Sequence, residues 1–466
     1  MITATPAAAA VAADLLIRNA RLVATVDTDR RELSGGWVAI TDGLISGVGS
    51  SLDEMPPATE VVDATDCLVT PGLINTHHHM YQNLTRAFPP MTRAPLFGWL
   101  QSLYPLWSGI DEEAVFTSAW VALAELALSG CTTSTDHLYV HPRGSGDLLG
   151  AEISASRDLG MRFHPTRGSM SLSEKDGGLP PDNVVQDDDE ILALSELAVL
   201  RHHDRSHGAM VRIALAPCSP FSVTESLMVR SAELAERLDV RLHTHFAENS
   251  EDDDFSVATF GCRPAEYLER TGWCSDRTWV AHCVMPNHDE VHRLGAAGVG
   301  AAHCPSSNLI LASGLAPVVD MRAAGMHVGI GVDGSSSADS GSMWLEARQA
   351  MLLAKLRNGA DAADARMSLE MATLGGAGCL GRIGEIGTLA VGATGDVAIW
   401  SLTGPMYAGA IADPIEAWLR CGPTAARDTI VHGRFVVRDR QLLSADVDER
   451  LADHHRISTR IQSGAD

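Results

Sequence analysis

The chain has 466 residues, of which 45% are hydrophobic and 20% charged, with a formal net charge of -24 at pH 7. This is the balance of a globular protein with a sizeable core, and it excludes nucleic acid and anionic membrane as partners, because a polyanion is repelled over most of the surface. No stretch reaches the roughly 18 consecutive apolar residues of a membrane span, and the alanine-rich start at 7–13 has no positive flank before it, so the chain reads as cytoplasmic. Nine cysteines without a CxxC pair or regular spacing read as reduced, mostly buried thiols.

In chain order, residues 14–66 alternate apolar and polar positions, with Asp42-Gly43 as a turn signal between strand-like runs. Short apolar runs then recur at 68–79, 130–137, 161–167, 211–218, 241–245, 279–283, 300–305 and 327–333. Helix-length amphipathic segments fall at 111–128, 222–238, 288–297, 317–324 and 343–357. Strand runs interleaved with helices predict a parallel sheet, and eight of them predict a closed barrel. Residues 387–440 return to alternation. The expected architecture is α/β: a (β/α)8 barrel at 68–384, with a small composite β-sandwich formed by both chain ends, residues 1–67 and 385–466, the latter including a C-terminal tail.

A barrel of this kind does its chemistry at the carboxyl ends of the strands, so the residues closing each run carry the functional reading. The first run closes His77-His78-His79, and alternation turns His77 and His79 to one face and His78 to the other, as a packing residue. The fifth closes on His243 and His245 with Glu248 just beyond, the sixth on His282 and the eighth on Asp333. A single histidine ending a strand is more often a hydrogen-bonded structural group, but an HxH pair on one run joined by His and Asp from others suits zinc or a similar first-row ion. His243 and His303 read as substrate contacts or as partners of the ligands, and His137 and His164 equally well as structural.

At these residues the sequence resembles the amidohydrolase superfamily, in its deaminase and triazine-hydrolase branch. The likeness runs from 71–79 through 243–249, 281–283, 303–305 and 331–334, and continues in 384–396. It implies that His77, His79, His245 and Asp333 bind one divalent metal ion, usually zinc, with Glu248 as proton shuttle and His282 beside the attacking water; it also implies a homo-oligomer. Segments 79–86, 97–100 and 216–221 look most like the group of 8-oxoguanine deaminases, from which the chain departs at Ala338-Asp339, Leu309-Ile310 and Gly395.

The expected chemistry is hydrolytic deamination of a small aminated heterocycle, a purine, pterin or pyrimidine. A zinc ion with an open position lowers the pKa of its water from about 15.7 to about 7, making a nucleophile at neutral pH. Asp333 would take the water's proton and Glu248 would protonate the ring nitrogen. A carboxylated lysine bridging two metals is not expected, since 211–218 contains no lysine and the chain has only Lys175 and Lys355. Gln82 is the first candidate for the substrate edge, with Arg86, Trp107, Arg167, His303 and Asn308 as further pocket candidates. Arg86 and Arg167 read equally well as ion pairs, and Trp107 as core. The rival readings are a triazine-type hydrolase that displaces chloride or an amine, and an inactive binding protein, which leaves the full donor set without a purpose.

Overall fold

The computed structural model describes residues 12–465; the alanine-rich start therefore lies, up to residue 11, outside the described residues. The first five strands, β1 (Ala13–Ala24), β2 (Glu32–Thr41), β3 (Leu44–Gly49), β4 (Ala58–Asp63) and β5 (Cys67–Pro71), belong to an outer sheet. Asp42 and Gly43 make the two-residue turn from β2 to β3, both with positive φ of 50° and 75°. That is the geometry for which Asp-Gly is favoured, because the turn's twist matches that of the strands.

The apolar run at 68–79 divides at Gly72. Its first half is β5 and its second is β6 (Leu73–Asn75), the first strand of the barrel. A Cβ at position 72 would stand 2.1 Å from the Thr132 side chain, so only glycine lets the chain pass so close to the neighbouring strand while it changes sheets. The barrel continues with β7 (Cys131–Leu138), β8 (Arg162–Ser169), β9 (Ala214–Pro217), β10 (Leu242–Phe246), β11 (Thr278–His282), β12 (Gly300–His303) and β13 (Val328–Ile330). Each overlaps one of the eight runs, neighbours pair in parallel, and β13 closes on β6. The five expected helices are present at Glu112–Leu128, Glu225–Leu238, His288–Ala296, Val318–Ala323 and Met343–Asn358.

The returning strands β14 (Val397–Ser401), β15 (Asp428–Val431), β16 (Arg434–Arg438) and β17 (Gln441–Leu442) complete the outer domain. It is one continuous nine-stranded sheet, in which β14 lies antiparallel to β5 with Val397 opposite Pro71 and Ser401 opposite Cys67. Residues of both chain ends share its core, among them Ile17, Val38, Ile40, Val69, Val397 and Ile399. Gly395 fits against this core with no room to spare, since a methyl there would stand 2.8 Å from Ile40. A buried ion pair ties this sheet to the barrel: Arg162 donates to both carboxylate oxygens of Asp396, at 2.9 and 3.0 Å.

After β17 the chain returns to the barrel as a helix, Val447–Gln462, which packs on Glu112–Leu128 and on the 3-10 turn Met80–Thr85 that follows the His77-His78-His79 segment. Ile457 and Ile461 are buried with Tyr81 and Leu84, the His454 ring donates to Asn83 Oδ1 at 2.8 Å, and Gln462 donates to the Leu84 carbonyl at 2.7 Å. Burial, with smaller contributions from Arg86 and His455, pulls the His454 imidazole down from 6.5 to about 4. Between those values the detached helix binds a proton that the docked one does not, so docking weakens as pH falls from 6.5 towards 4. Hydrogen exchange in 447–462 is expected to accelerate over that window. His454→Gln, which keeps a donor and does not titrate, should abolish the acceleration; an unchanged pH dependence in that variant would remove His454 as the cause.

Candidate active site

Seven side chains meet at the carboxyl mouth of the barrel, and hydrogen bonds behind them decide how they are aimed. His79 donates from Nδ1 to the His137 carbonyl at 2.8 Å, and His245 donates from Nδ1 to the Cys218 carbonyl at 2.6 Å. His77 is held by a longer relay: His243 donates from Nδ1 to the Trp279 carbonyl at 2.8 Å, which leaves its Nε2 to accept from His77 Nδ1 at 2.8 Å. In all three rings Nδ1 is committed and Nε2 is left facing the others. Burial holds His77, His79 and His245 below the ordinary imidazole value, so that these rings are neutral and their Nε2 lone pairs free.

Asp333 completes the group. Its Oδ1 lies 3.3 Å from Nε2 of His77 and 3.3 Å from Nε2 of His79, whose Nε2 is in turn 3.1 Å from that of His245. Burial opposes the charge of Asp333, but the nearby rings of His77, His282 and His79 outweigh it and hold the carboxyl well below the usual range. Three imidazole nitrogens and one carboxylate oxygen are a donor set that zinc takes. Donors at its usual 2.0–2.2 Å bond lengths in a tetrahedron stand roughly 3.3–3.6 Å apart. The His77–Asp333, His79–Asp333 and His79–His245 separations come close to that spacing, and His77 Nε2 is buried with no hydrogen-bond partner. The residues therefore fit a divalent ion. His137 lies beside this group, its ring stacked on that of His245 at 4.9 Å and its Nδ1 buried without a partner.

Glu248 and His282 face the group from β10 and β11. His282 donates from Nδ1 to Asn308 Oδ1 at 3.0 Å, which directs its Nε2 to within 3.6 Å of Glu248 and 4.0 Å of Asp333. Burial raises the Glu248 carboxyl above its ordinary value, with Asp333 adding to the shift and His282 opposing it. Burial acts against a charge on His282, but Glu248 and Asp333 prevail and raise it. Ala247, His282 and Asp333 all carry left-handed backbone, with φ of 46°, 69° and 60°. Such conformations cost non-glycine residues about 1–3 kcal/mol each and persist where the surroundings over-determine them; here they turn the chain as it leaves each strand so that these groups aim inward.

The cavity over this group is walled by His79, Gln82, His245, Glu248, His282, Asp333 and Ser337, and on its outer side by Leu96, Trp99, Leu100, Tyr104, Tyr139, Cys218, Phe221 and Leu311. Of the six pocket candidates Gln82 lines it. The other five do not, each for a visible reason. Arg86 turns away to Glu125 at 2.6 Å and Ser335 at 3.1 Å; Trp107 is fully buried and donates to Thr85 at 3.1 Å. His303 is buried outside the residues that line the cavity, and Asn308 is occupied behind His282. Arg167 donates to Gln186 at 2.6 Å, and His78 accepts from the backbone N–H of His79. The aromatic wall escapes the sequence reading, because it comes from the helix Leu96–Trp107 and from strand-end loops, where no period marks a pocket face. Trp99 and Phe221 do fall in segments that carry the family resemblance.

Comparison with known proteins places the chain in a family and agrees with the fold. The sequence pattern described as Amidohydrolase family matches residues 68–436. The chain is 46% identical to the 8-oxoguanine deaminase of Pseudomonas aeruginosa, over 93% of its own length and 96% of that protein's. It is 35% identical to the hydroxydechloroatrazine ethylaminohydrolase of Pseudomonas sp. strain ADP, over 91% and 90% of the two chains. Among solved structures it is similar to the atrazine chlorohydrolase of Arthrobacter aurescens TC1 complexed with zinc, with a TM-score of 0.91 and 33% identity, covering 95% of this chain and 100% of that one. The chain belongs to the amidohydrolase family.

Proposed function

We propose that the chain is a zinc-dependent aminohydrolase that releases ammonia from a neutral aminated heterocycle, 8-oxoguanine or a closely related purine or pterin. The observation that carries this reading is the meeting of His77, His79, His245 and Asp333 at one mouth of the barrel, with Glu248 and His282 beside a cavity whose outer wall is largely aromatic and aliphatic. His77, His79, His245 and Asp333 would hold the ion. When bound, it supplies Lewis acidity and a water that ionises near neutral pH.

The protein's own groups handle the protons and the substrate. Asp333, its Oδ2 hydrogen-bonded by Ser337 at 3.3 Å, accepts the proton of the attacking water. His282, fixed by Asn308, orients that water. Glu248, whose raised pKa lets it carry a proton, delivers it to the ring nitrogen as oxygen adds to the amino-bearing carbon. Asp333 then passes its proton to the amino nitrogen, the C–N bond breaks and ammonia leaves, and the adduct's hydroxyl proton returns to Glu248 as the carbonyl forms. Gln82 offers an amide edge to the heterocycle, while Trp99, Tyr104 and Phe221 sandwich its faces. The cavity wall contains no arginine or lysine, so nothing there pairs with a phosphate or carboxylate; this favours a free base over a nucleotide. The identity to the Pseudomonas aeruginosa enzyme supports 8-oxoguanine among such bases.

The likeness in fold to the atrazine chlorohydrolase keeps ring dechlorination as a second reading, because the same activated water would displace chloride. Zinc-supplemented protein assayed against 8-oxoguanine, isoxanthopterin, a 2-hydroxy-4-ethylaminotriazine and atrazine should release ammonia from 8-oxoguanine most rapidly. Chloride release from atrazine with no ammonia from any oxidised purine would replace the deaminase reading with the second one.

Elemental analysis should find one divalent ion per chain, and His243→Ala, which strips His77 of its Nδ1 acceptor, should weaken retention of that ion by about 10–100-fold. Two tightly held ions would contradict the single site. Glu248→Gln should keep the ion and lose about 10²–10⁴-fold in kcat; wild-type turnover in that variant would take proton delivery away from Glu248. Asn308→Leu leaves His282 without its acceptor and should lower kcat by about 10²-fold through misplacement alone. A crystal structure of that variant with His282 unmoved, together with a normal rate, would show that Asn308 does not set the ring.

A further inference from the structure

At the opposite mouth of the barrel, where the strands begin, lies a second cavity of about 250 Å3. Its wall carries Arg205, Arg212, Arg241, Arg277, His164 and His203, with Asp239 as its one carboxylate. Arg277 donates to Asp239 at 2.9 Å, with Arg205 3.9 Å away, and Arg212 pairs with Glu385 at 3.0 Å. Glu385 is shared with Arg382 behind the wall. Five guanidinium groups therefore share two directly paired carboxylates, with Asp204 and Asp276 acting on the wall only at a distance.

Arg241 has no paired counter-charge, and Asp276 acts on it only at a distance. Its side chain makes no ion pair or hydrogen bond among the described residues, and its Nε is buried without an acceptor. It lies across Gly381, whose φ is +65° and where a Cβ would come within 2.7 Å of the guanidinium. Beside it His164 is 2% exposed, and neither of its ring nitrogens has a partner. Burial, with the guanidinium groups of Arg382, Arg212 and Arg241 adding to it, holds this ring neutral, so it has one N–H to donate. Buried charges are normally paired, and buried polar atoms normally bonded. In a chain of net charge -24, uncompensated positive charge gathered in one concavity is a local construction and not a property of the surface.

We propose that this cavity binds a small oxyanion of the phosphate class, free or as the terminal group of a phosphomonoester, with Arg241 and His164 at its floor and Arg205 and Arg277 at its rim. Guanidinium forks suit the several acceptor oxygens of such a group, and the volume admits phosphate with room for little more than a small ester. The cavity is separate from the catalytic one, whose wall has no arginine or lysine, and its ligand is therefore not the substrate.

Calorimetric titration of the full-length, zinc-supplemented protein with inorganic phosphate, at an ionic strength held constant with sodium chloride, tests this. One saturable site per chain is expected. Arg241→Gln should weaken it at least about tenfold, the worth of a charged hydrogen bond. Arg205→Gln, at a side chain that is 61% exposed and therefore replaceable without disturbing the core, should weaken it several-fold. Glu248→Gln should bind phosphate as the unmodified protein does, which separates this site from the proposed catalysis. A parallel titration with glucose 6-phosphate distinguishes the sources: tighter binding than phosphate marks an ester as the ligand, and binding of phosphate alone marks the free ion. Absence of saturable phosphate binding, or equal binding in both arginine variants, overturns the proposal.

Discussion

An imidazole has two nitrogens, and the carboxyl mouth of this barrel is organised by spending one of them on the scaffold. Carbonyl oxygens of β7 and of the loop after β9 take Nδ1 of His79 and His245 directly. For His77 the Trp279 carbonyl acts through His243. Each bond fixes a tautomer as well as a direction, so the three free lone pairs are decided by backbone groups that the barrel's own closure puts in place. The left-handed φ angles at Ala247, His282 and Asp333 belong to the same economy: strain where strands end is the cost of aiming carboxylates and a fourth ring at the point where the lone pairs meet.

The two mouths of the barrel divide the electrostatics. Around the imidazole cluster the wall is aromatic and aliphatic apart from the groups that do chemistry, so the field there comes from Asp333, Glu248 and His282 acting on one another through a poorly solvated space. Around Arg241 the wall is cationic. Between them runs a column of packed rings: His164 sits 6.1 Å from Trp279, Trp279 stacks on His243 at 4.4 Å, and His243 holds His77. The arginines at the far mouth therefore sit at the base of the same stack that orients the first imidazole.

Much of the barrel can be read from the sequence, because each parallel strand is buried on both faces and so appears as an uninterrupted apolar run, and because the chemistry sits where those runs stop. The same logic brings His77, His79, His245, Glu248, His282 and Asp333 together. It fails where tertiary packing overrides local pattern. The run at 68–79 gives no sign that Gly72 divides it between two sheets; that depends on Thr132 sixty residues away. The helix Asp188–His202 begins with three acidic residues and is nearly without an apolar stripe, and Leu96–Trp107 contains Pro105, so neither declares itself. Arg86, Trp107, His303 and Asn308 sit close to the expected pocket in sequence, but their partners, Glu125, Thr85 and His282 among them, are contacts between elements and leave no trace in spacing.

The pairing of β5 with β14 has a consequence for biosynthesis. During translation the first five strands leave the ribosome long before residues 397–401 exist, and the whole barrel is made in between. Until then β5 exposes an open row of backbone donors and acceptors, the kind of edge on which a foreign strand can add. Elongation at about 5–20 residues per second makes that wait tens of seconds, long enough for chaperone capture or for nascent chains on neighbouring ribosomes to meet at this edge.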